Sequence, residues 1–235
     1  MTNFLQDLGI GITKDGNLNR GGELIVECIP NSPSSIEEIE YKFSDHDRAS
    51  KFVASVWNNV EAKKVNIGVG NTVLGSAFEC LLALVFCLEK ISPFFMQAEL
   101  SFVPNAKFDI LMYDASGWPI SISIKTSLRE RYKQADLEAM ALKQVHRKSE
   151  SYLITLNEIE AAAQARKIEK RDLVALDRII LATSSDFDQL LVDLRSRRLI
   201  DPDLVPVIRH SDYQVNVNSV VEQAFVQNQD SQKTN

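Results

Sequence analysis

Between Pro119 and Thr126 the chain alternates strictly, with Ile120, Ile122 and Ile124 on one side and Ser121, Ser123 and Lys125 on the other. That period of two predicts a strand with one face turned to a core. An apolar run at Lys107–Tyr113 precedes it across Asp114-Ala-Ser-Gly117, a turn composition, so the two read as a hairpin. A further strand is predicted at Phe94–Val103. Helical spacing appears at Asp47–Lys64, where Phe52, Val53, Val56 and Val60 share a stripe, and at Thr72–Ile91, which is almost wholly apolar. A Gly/Asn turn, Gly68 to Asn71, leads into the second of these helices, with Asn71 or Thr72 as its cap. Downstream the pattern predicts a helix at Glu130–Lys148, a strand at Tyr152–Leu156, a helix at Glu158–Glu169, a strand at Arg178–Thr183 and a helix at Phe187–Arg198. The first 45 residues are rich in Gly, Asn, Ser and Pro, with one strand candidate at Glu23–Ile29.

The order is helix, three strands, helix, strand, helix, strand, helix. It predicts an α/β protein with a mixed central sheet flanked by helices, because strand–helix–strand connections favour parallel pairing. One domain is expected over 1–226, with its core at about 65–185. Residues 1–64 and the region after Asp186 are available for recognition or dimerisation, and 227–235 are read as a disordered tail. Cys28, Cys80 and Cys87 have no metal or disulfide spacing and read as buried reduced thiols of a cytoplasmic protein. The N-terminus lacks the basic segment of a signal peptide. The apolar stretch from Thr72 is at the short limit for a membrane span and carries Glu79, so a core helix is expected.

Charge changes the picture in one place. The formal total of −6 (26 Lys+Arg against 32 Asp+Glu) argues at first against a nucleic-acid partner. From Lys125 to Lys148, however, seven basic residues face three acidic ones, a local +4 against −10 for the rest of the chain. Arg129, Arg131, Lys133 and Lys143 in this stretch are the candidates for phosphate or base contact. Arg195, Arg197 and Arg198 form a weaker second cluster. His46, His146 and His210 are scattered and have no ligand spacing, with His146 read as solvated or phosphate-contacting.

Three carboxylates are singled out by their surroundings. Asp109 lies inside Phe108-Asp-Ile-Leu-Met112, and Glu79 is the one charge between Val65 and Leu88. Glu138 lies near the apolar edge of its helix, which also carries Asp136 and Glu130. A carboxylate in apolar surroundings must be paired or bind a cation. Carboxylate oxygens suit Mg²⁺, and a lysine beside such a cation can position water or offset phosphate charge. Lys125, at the end of the second hairpin strand, is placed for that.

A helix glutamate, an aspartate on the first hairpin strand and a lysine ending the second together resemble the PD-(D/E)xK nuclease superfamily, over roughly Asn71–Leu156. Two positions depart from its motif: Phe108 replaces the proline, and Ser123 replaces the acidic residue two before the lysine. The restriction enzymes that cut CCGG- and CCNGG-type sites have a serine there and take the missing carboxylate from the next helix, about a dozen residues after the lysine. Glu138 lies thirteen residues after Lys125. The segment Lys125–Gln134 is also similar to segments of type II restriction enzymes. The resemblance implies a restriction-endonuclease-like fold and Mg²⁺-dependent, site-specific cleavage of double-stranded DNA. Asp109 and Glu138 would hold the metal, with Lys125 and Glu79 completing the site. It also implies a homodimer acting on palindromic DNA and a cognate DNA methyltransferase. A repair or junction nuclease of the same fold, a non-catalytic DNA-binding module and an unrelated α/β protein are the alternatives. The migrated-glutamate reading requires Asp109, Lys125 and Glu138 to converge within reach of one cation.

Overall fold

A computed structural model describes residues 3–31, 33, 35–101 and 103–202, together with short strands at 207–209 and 214–215. The expected tail at 227–235 lies outside them. The elements are α1 (Phe4–Asp7), α2 (Arg20–Cys28), α3 (Ile36–Ser44), α4 (Ala49–Ile67), α5 (Asn71–Leu88), β1 (Phe94–Leu100), β2 (Val103–Asp114), β3 (Pro119–Lys125), α6 (Arg131–Val145), β4 (Glu150–Thr155), α7 (Glu158–Glu169), β5 (Arg178–Leu181), α8 (Ser185–Arg195), β6 (Leu199–Ile200), β7 (Val207–Arg209) and β8 (Gln214–Val215).

The protein is α/β, with one mixed sheet in the order β5-β4-β3-β2-β1-β7; β6 pairs with β2 and β8 with β1. β1, β2 and β3 form an antiparallel meander, and β3, β4 and β5 run parallel. The parallel half follows from the connections, since a helix must carry the chain back between parallel neighbours. The Asp114 turn closes as expected: its Oδ1 accepts from the amides of Ser116 (2.9 Å) and Trp118 (3.0 Å), and Gly117 takes φ 76°.

Two layers cover the sheet. Ile110, Ile120, Ile122, Ile124, Ile154 and Ile180 meet α4, α5 and α8 on one face. On the other face, α6 and the segment after α7 pack on Leu111, Tyr113 and Leu153. The N-terminal helices share the first core, where Phe4, Leu24, Ile25 and Ile39 join α4 and α5. Among the described residues, one helix is apolar and long enough to cross a membrane, Asn71–Leu88, and 67% of it is buried inside the protein. Cys28, Cys80 and Cys87 are free and buried.

The structure corrects several boundaries. Glu23–Ile29 is not a strand: Glu23–Cys28 belong to α2, with Ile29 as its C-cap, and the helix is begun by the Asn19 side chain, which accepts from the Gly22 amide at 2.8 Å. Its buried residues Gly21, Leu24, Ile25 and Cys28 have helical spacing, and Glu23 and Glu27 point outward. Helix α5 starts on Gly70, without an Asn71 or Thr72 side-chain cap. Val103 belongs to β2, since the chain has already reversed and Leu100 pairs with Val103.

Candidate functional site

The site lies where β2 leaves β3. Backbone pairing between them stops at Ile110–Ile122, and beyond it the Asp109 side chain takes over. Its Oδ2 accepts from the Ile124 amide at 2.6 Å and from the Lys125 ammonium at 2.5 Å. Asp109 is thereby held at 7% exposure, inside the apolar run that made it conspicuous.

On the other side of β2, Gln97 of β1 lies between the rungs Met96–Ile110 and Ala98–Phe108, opposite Asp109. Both strands change face at this rung. In β1, Phe94 and Met96 enter the first core, whereas Phe95, Ala98 and Leu100 enter the second. In β2, Phe108 and Leu111 enter the second core and Ile110 and Met112 the first. Strict alternation would place Phe108 and Ile110 together. Gln97 absorbs the change with a left-handed φ of 54°, a conformation in which a non-glycine side chain is strained. Its Nε2 donates to Glu79 Oε2 of α5 at 2.6 Å and to Asp109 Oδ1 at 3.3 Å.

Burial pushes the Glu79 carboxyl up to about 8; Asp109 adds to the shift, and Lys125, Lys107 and the Gln97 hydrogen bond oppose it. Glu138, on the α6 stripe facing the sheet, is 9% exposed, and its Oε1 accepts from Gln134 Nε2 at 2.8 Å. Burial raises its carboxyl as well, while Gln134 and Lys125 lower it and Asp109 raises it. Glu138 is therefore turned inward, in the field of both Lys125 and Asp109. Four elements thus bring Glu79, Asp109, Lys125 and Glu138 to one region.

The convergence has a limit. Among the described residues, no three His, Cys, Asp or Glu side chains stand close enough together to hold one metal ion. Asp109 is drawn onto Lys125 and the Ile124 amide, and Glu138 onto Gln134. The donor set itself fits a hard divalent cation, because it consists of oxygen atoms. The proximity of Glu79 to Asp109 raises the Glu79 carboxyl further, as two like charges in one buried place would. A cation there would relieve that repulsion.

The other acids of α6 are otherwise engaged. Asp136 accepts from the Ala175 (2.9 Å) and Leu176 (3.0 Å) amides and fixes the loop before β5. Glu130 is exposed and pairs with Lys133 at 2.5 Å. Of the basic candidates, Arg129 and Arg131 are exposed immediately beyond Lys125, at the start of α6. Arg131 lies three and seven residues before Gln134 and Glu138, on their side of the helix. Lys133 points to the opposite side, and Lys143 is held by Asp177 at 2.7 and 2.9 Å near the far end of α6. The second cluster is largely occupied, with Arg195 on Glu89 at 2.8 Å and Arg197 bidentate on Glu150 at 2.7 and 2.9 Å. His146 packs edge-on against Trp118, with centroids 6.3 Å apart, and burial lowers its pKa.

Two residues of this region carried no sequence signal. Gln97 is one. The other is Glu160 of α7, whose carboxylate accepts from the amides of Leu128 (2.6 Å) and Arg129 (3.2 Å) and so fixes the loop between Lys125 and α6. A cavity of about 330 Å³, lined by Gly11–Lys14, Asn19, Cys80 and Met96, reaches Glu79 and Gln97.

The chain matches no protein-family model and no curated protein, and no solved structure matches its fold.

Proposed function

We propose that the protein is a metal-dependent phosphodiesterase acting on DNA. Within that class, we propose a type II restriction-type endodeoxyribonuclease that cleaves double-stranded DNA at a specific sequence. The observation that carries this reading is the chain Glu79–Gln97–Asp109–Lys125 at the point where β2 leaves β3, with the buried Glu138 of α6 in the field of Lys125 and Asp109.

Asp109 and Glu138 would hold Mg²⁺, with Glu79 supporting Asp109 through Gln97. When bound, the cation supplies a Lewis acid for the phosphate and lowers the pKa of water. Lys125, an ammonium oriented by Asp109, offsets charge developing on the phosphate and orients the attacking water. In the hydrolysis, a bond forms from water oxygen to phosphorus and one phosphorus–ester bond breaks. Ser123, small and on the face covered by α6, leaves Glu138 the place that a longer acidic side chain would otherwise take. Arg129 and Arg131 would meet the phosphate backbone beside the site. A homodimer on a palindromic sequence, a cognate methyltransferase and a cytoplasmic location go with this reading.

Incubation of supercoiled plasmid with MgCl₂ or with EDTA tests it. Discrete fragments with Mg²⁺, and none with EDTA, are expected. Structure-dependent nicking would move the assignment to a repair or junction nuclease. DNA binding without cleavage in either buffer would mean a non-catalytic module, and neither binding nor cleavage would end the proposal.

A further inference from the structure

Gln97 is an unusual choice for its position. It occupies a left-handed backbone conformation inside a strand, with φ 54°, where glycine or asparagine would be less strained. Its side chain stands between two carboxylates. The Nε2 group carries two protons, one for each acceptor, and both are used, toward Glu79 Oε2 at 2.6 Å and Asp109 Oδ1 at 3.3 Å.

The chemistry of that link is particular. A lysine or arginine at this point would also join the two carboxylates, but it would neutralise them and compete with any cation. A glutamate would repel both. A primary amide bridges them without adding a charge of its own. Charge is already compensated on the other edge of Asp109, where Lys125 binds Oδ2, not the oxygen facing Gln97. The cavity against Glu79 and Gln97 leaves this link reachable from the side of the N-terminal loop at Gly11–Lys14.

We infer that Gln97 is a positioning residue for divalent cations: it sets the spacing of Glu79 and Asp109 and so fixes how tightly the site binds Mg²⁺ or Mn²⁺. This rests on the metal-dependent reading of the site but not on DNA being the substrate. Residues that orient the ligands of a metal are worth about 10–100-fold in affinity when removed.

The test uses the full chain without DNA. Mn²⁺ and Mg²⁺ binding are measured by titration calorimetry, and the melting temperature is followed with and without cation. The variants are Gln97→Gly, Gln97→Asn and Gln97→Glu. Gln97→Gly relieves the backbone, so the cation-free protein should melt at or above the wild-type temperature, while its cation Kd rises by about tenfold or more. Gln97→Asn keeps the backbone and an amide one methylene shorter, and should fall between. Gln97→Glu should lower the cation-free melting temperature and show the largest rise on adding cation. An unchanged Kd in the folded Gln97→Gly variant overturns the inference, as does absence of cation binding by the wild type. Plasmid cleavage is scored separately: intact cation binding with no cleavage would sink the nuclease assignment and leave the role of Gln97 standing.

Discussion

Asp136 and Glu138 sit two residues apart on one helix and do different work. Asp136 is spent on three backbone amides of the loop at 174–176, while Glu138 accepts from Gln134 and lies in the field of Lys125 and Asp109. Removing each should separate them by assay. Glu138→Gln and Lys125→Ala are expected to lower cleavage by on the order of 10²-fold or more, measured as initial nicking rate. Glu138→Gln should change the melting temperature little, whereas Lys125→Ala should also lower it, because Asp109 loses its ion pair. If both variants cut at the wild-type rate, the site assignment is wrong. Asp136→Ala leaves buried amides unmatched and should cost stability instead, about 1–3 kcal/mol in denaturant unfolding. Glu79 gives a pH signature. Its carboxyl ionises at about 8 in the folded protein against an ordinary 4.5, so between these values the native state binds the proton and the unfolded chain does not. The stability this group contributes is full below about 4.5 and is lost as pH rises through about 8. Glu79→Gln removes that loss, so at pH 8.5 the variant should be the more stable of the two, and the difference should shrink toward pH 5.5. Thermal melts from pH 5.5 to 8.5 check it, and parallel curves for the two proteins would count against the buried carboxyl.

At the scale of elements, much of the fold was legible because hydrophobic period and element type agree. The β3 alternation, the α5 run and the α7 boundaries are all read correctly from the chain. Helix α2 was not, since Glu-Leu-Ile-Val-Glu-Cys-Ile is too short and too apolar for its period to decide between strand and helix. What decides it is tertiary. Gly21 lets α2 cross α5 so closely that a Cβ there would stand 2.4 Å from the Ala77 nitrogen. Gly21→Ala must therefore push backbone apart, and a loss of about 1–3 kcal/mol is expected from chemical denaturation. An unchanged midpoint would mean that the crossing is looser than described. The candidate site was legible in its charges, which apolar neighbours made conspicuous, but not in the groups that place them. Gln97 is marked only by its φ, and Glu160 lies 31 and 32 residues from the amides it holds, so neither leaves a local pattern.

For the whole molecule, the acidic total hides an uneven surface. The basic stretch is itself divided by the fold: Arg129 and Arg131 emerge beside Lys125, whereas Lys143 is tied to Asp177. DNA binding measured across a salt series should follow that division. Arg129→Ala and Arg131→Ala should each reduce the steepness of log K against log salt by about 1. Lys143→Ala should leave the slope unchanged, and equal effects of all three would indicate a DNA path along the whole helix.

The Ile124 amide has a further use. It is a strand amide whose acceptor is a side chain, Asp109 Oδ2, as Asp177 Oδ2 is for the Ser151 amide of β4. Its protection from solvent exchange consequently depends on where that carboxylate points, and its neighbours' protection does not. Deuterium uptake at Ile124 relative to Ile122 thus becomes a built-in gauge of the Asp109 orientation, readable without substrate and at single-residue resolution. Anything that draws Asp109 away should quicken exchange at Ile124 alone.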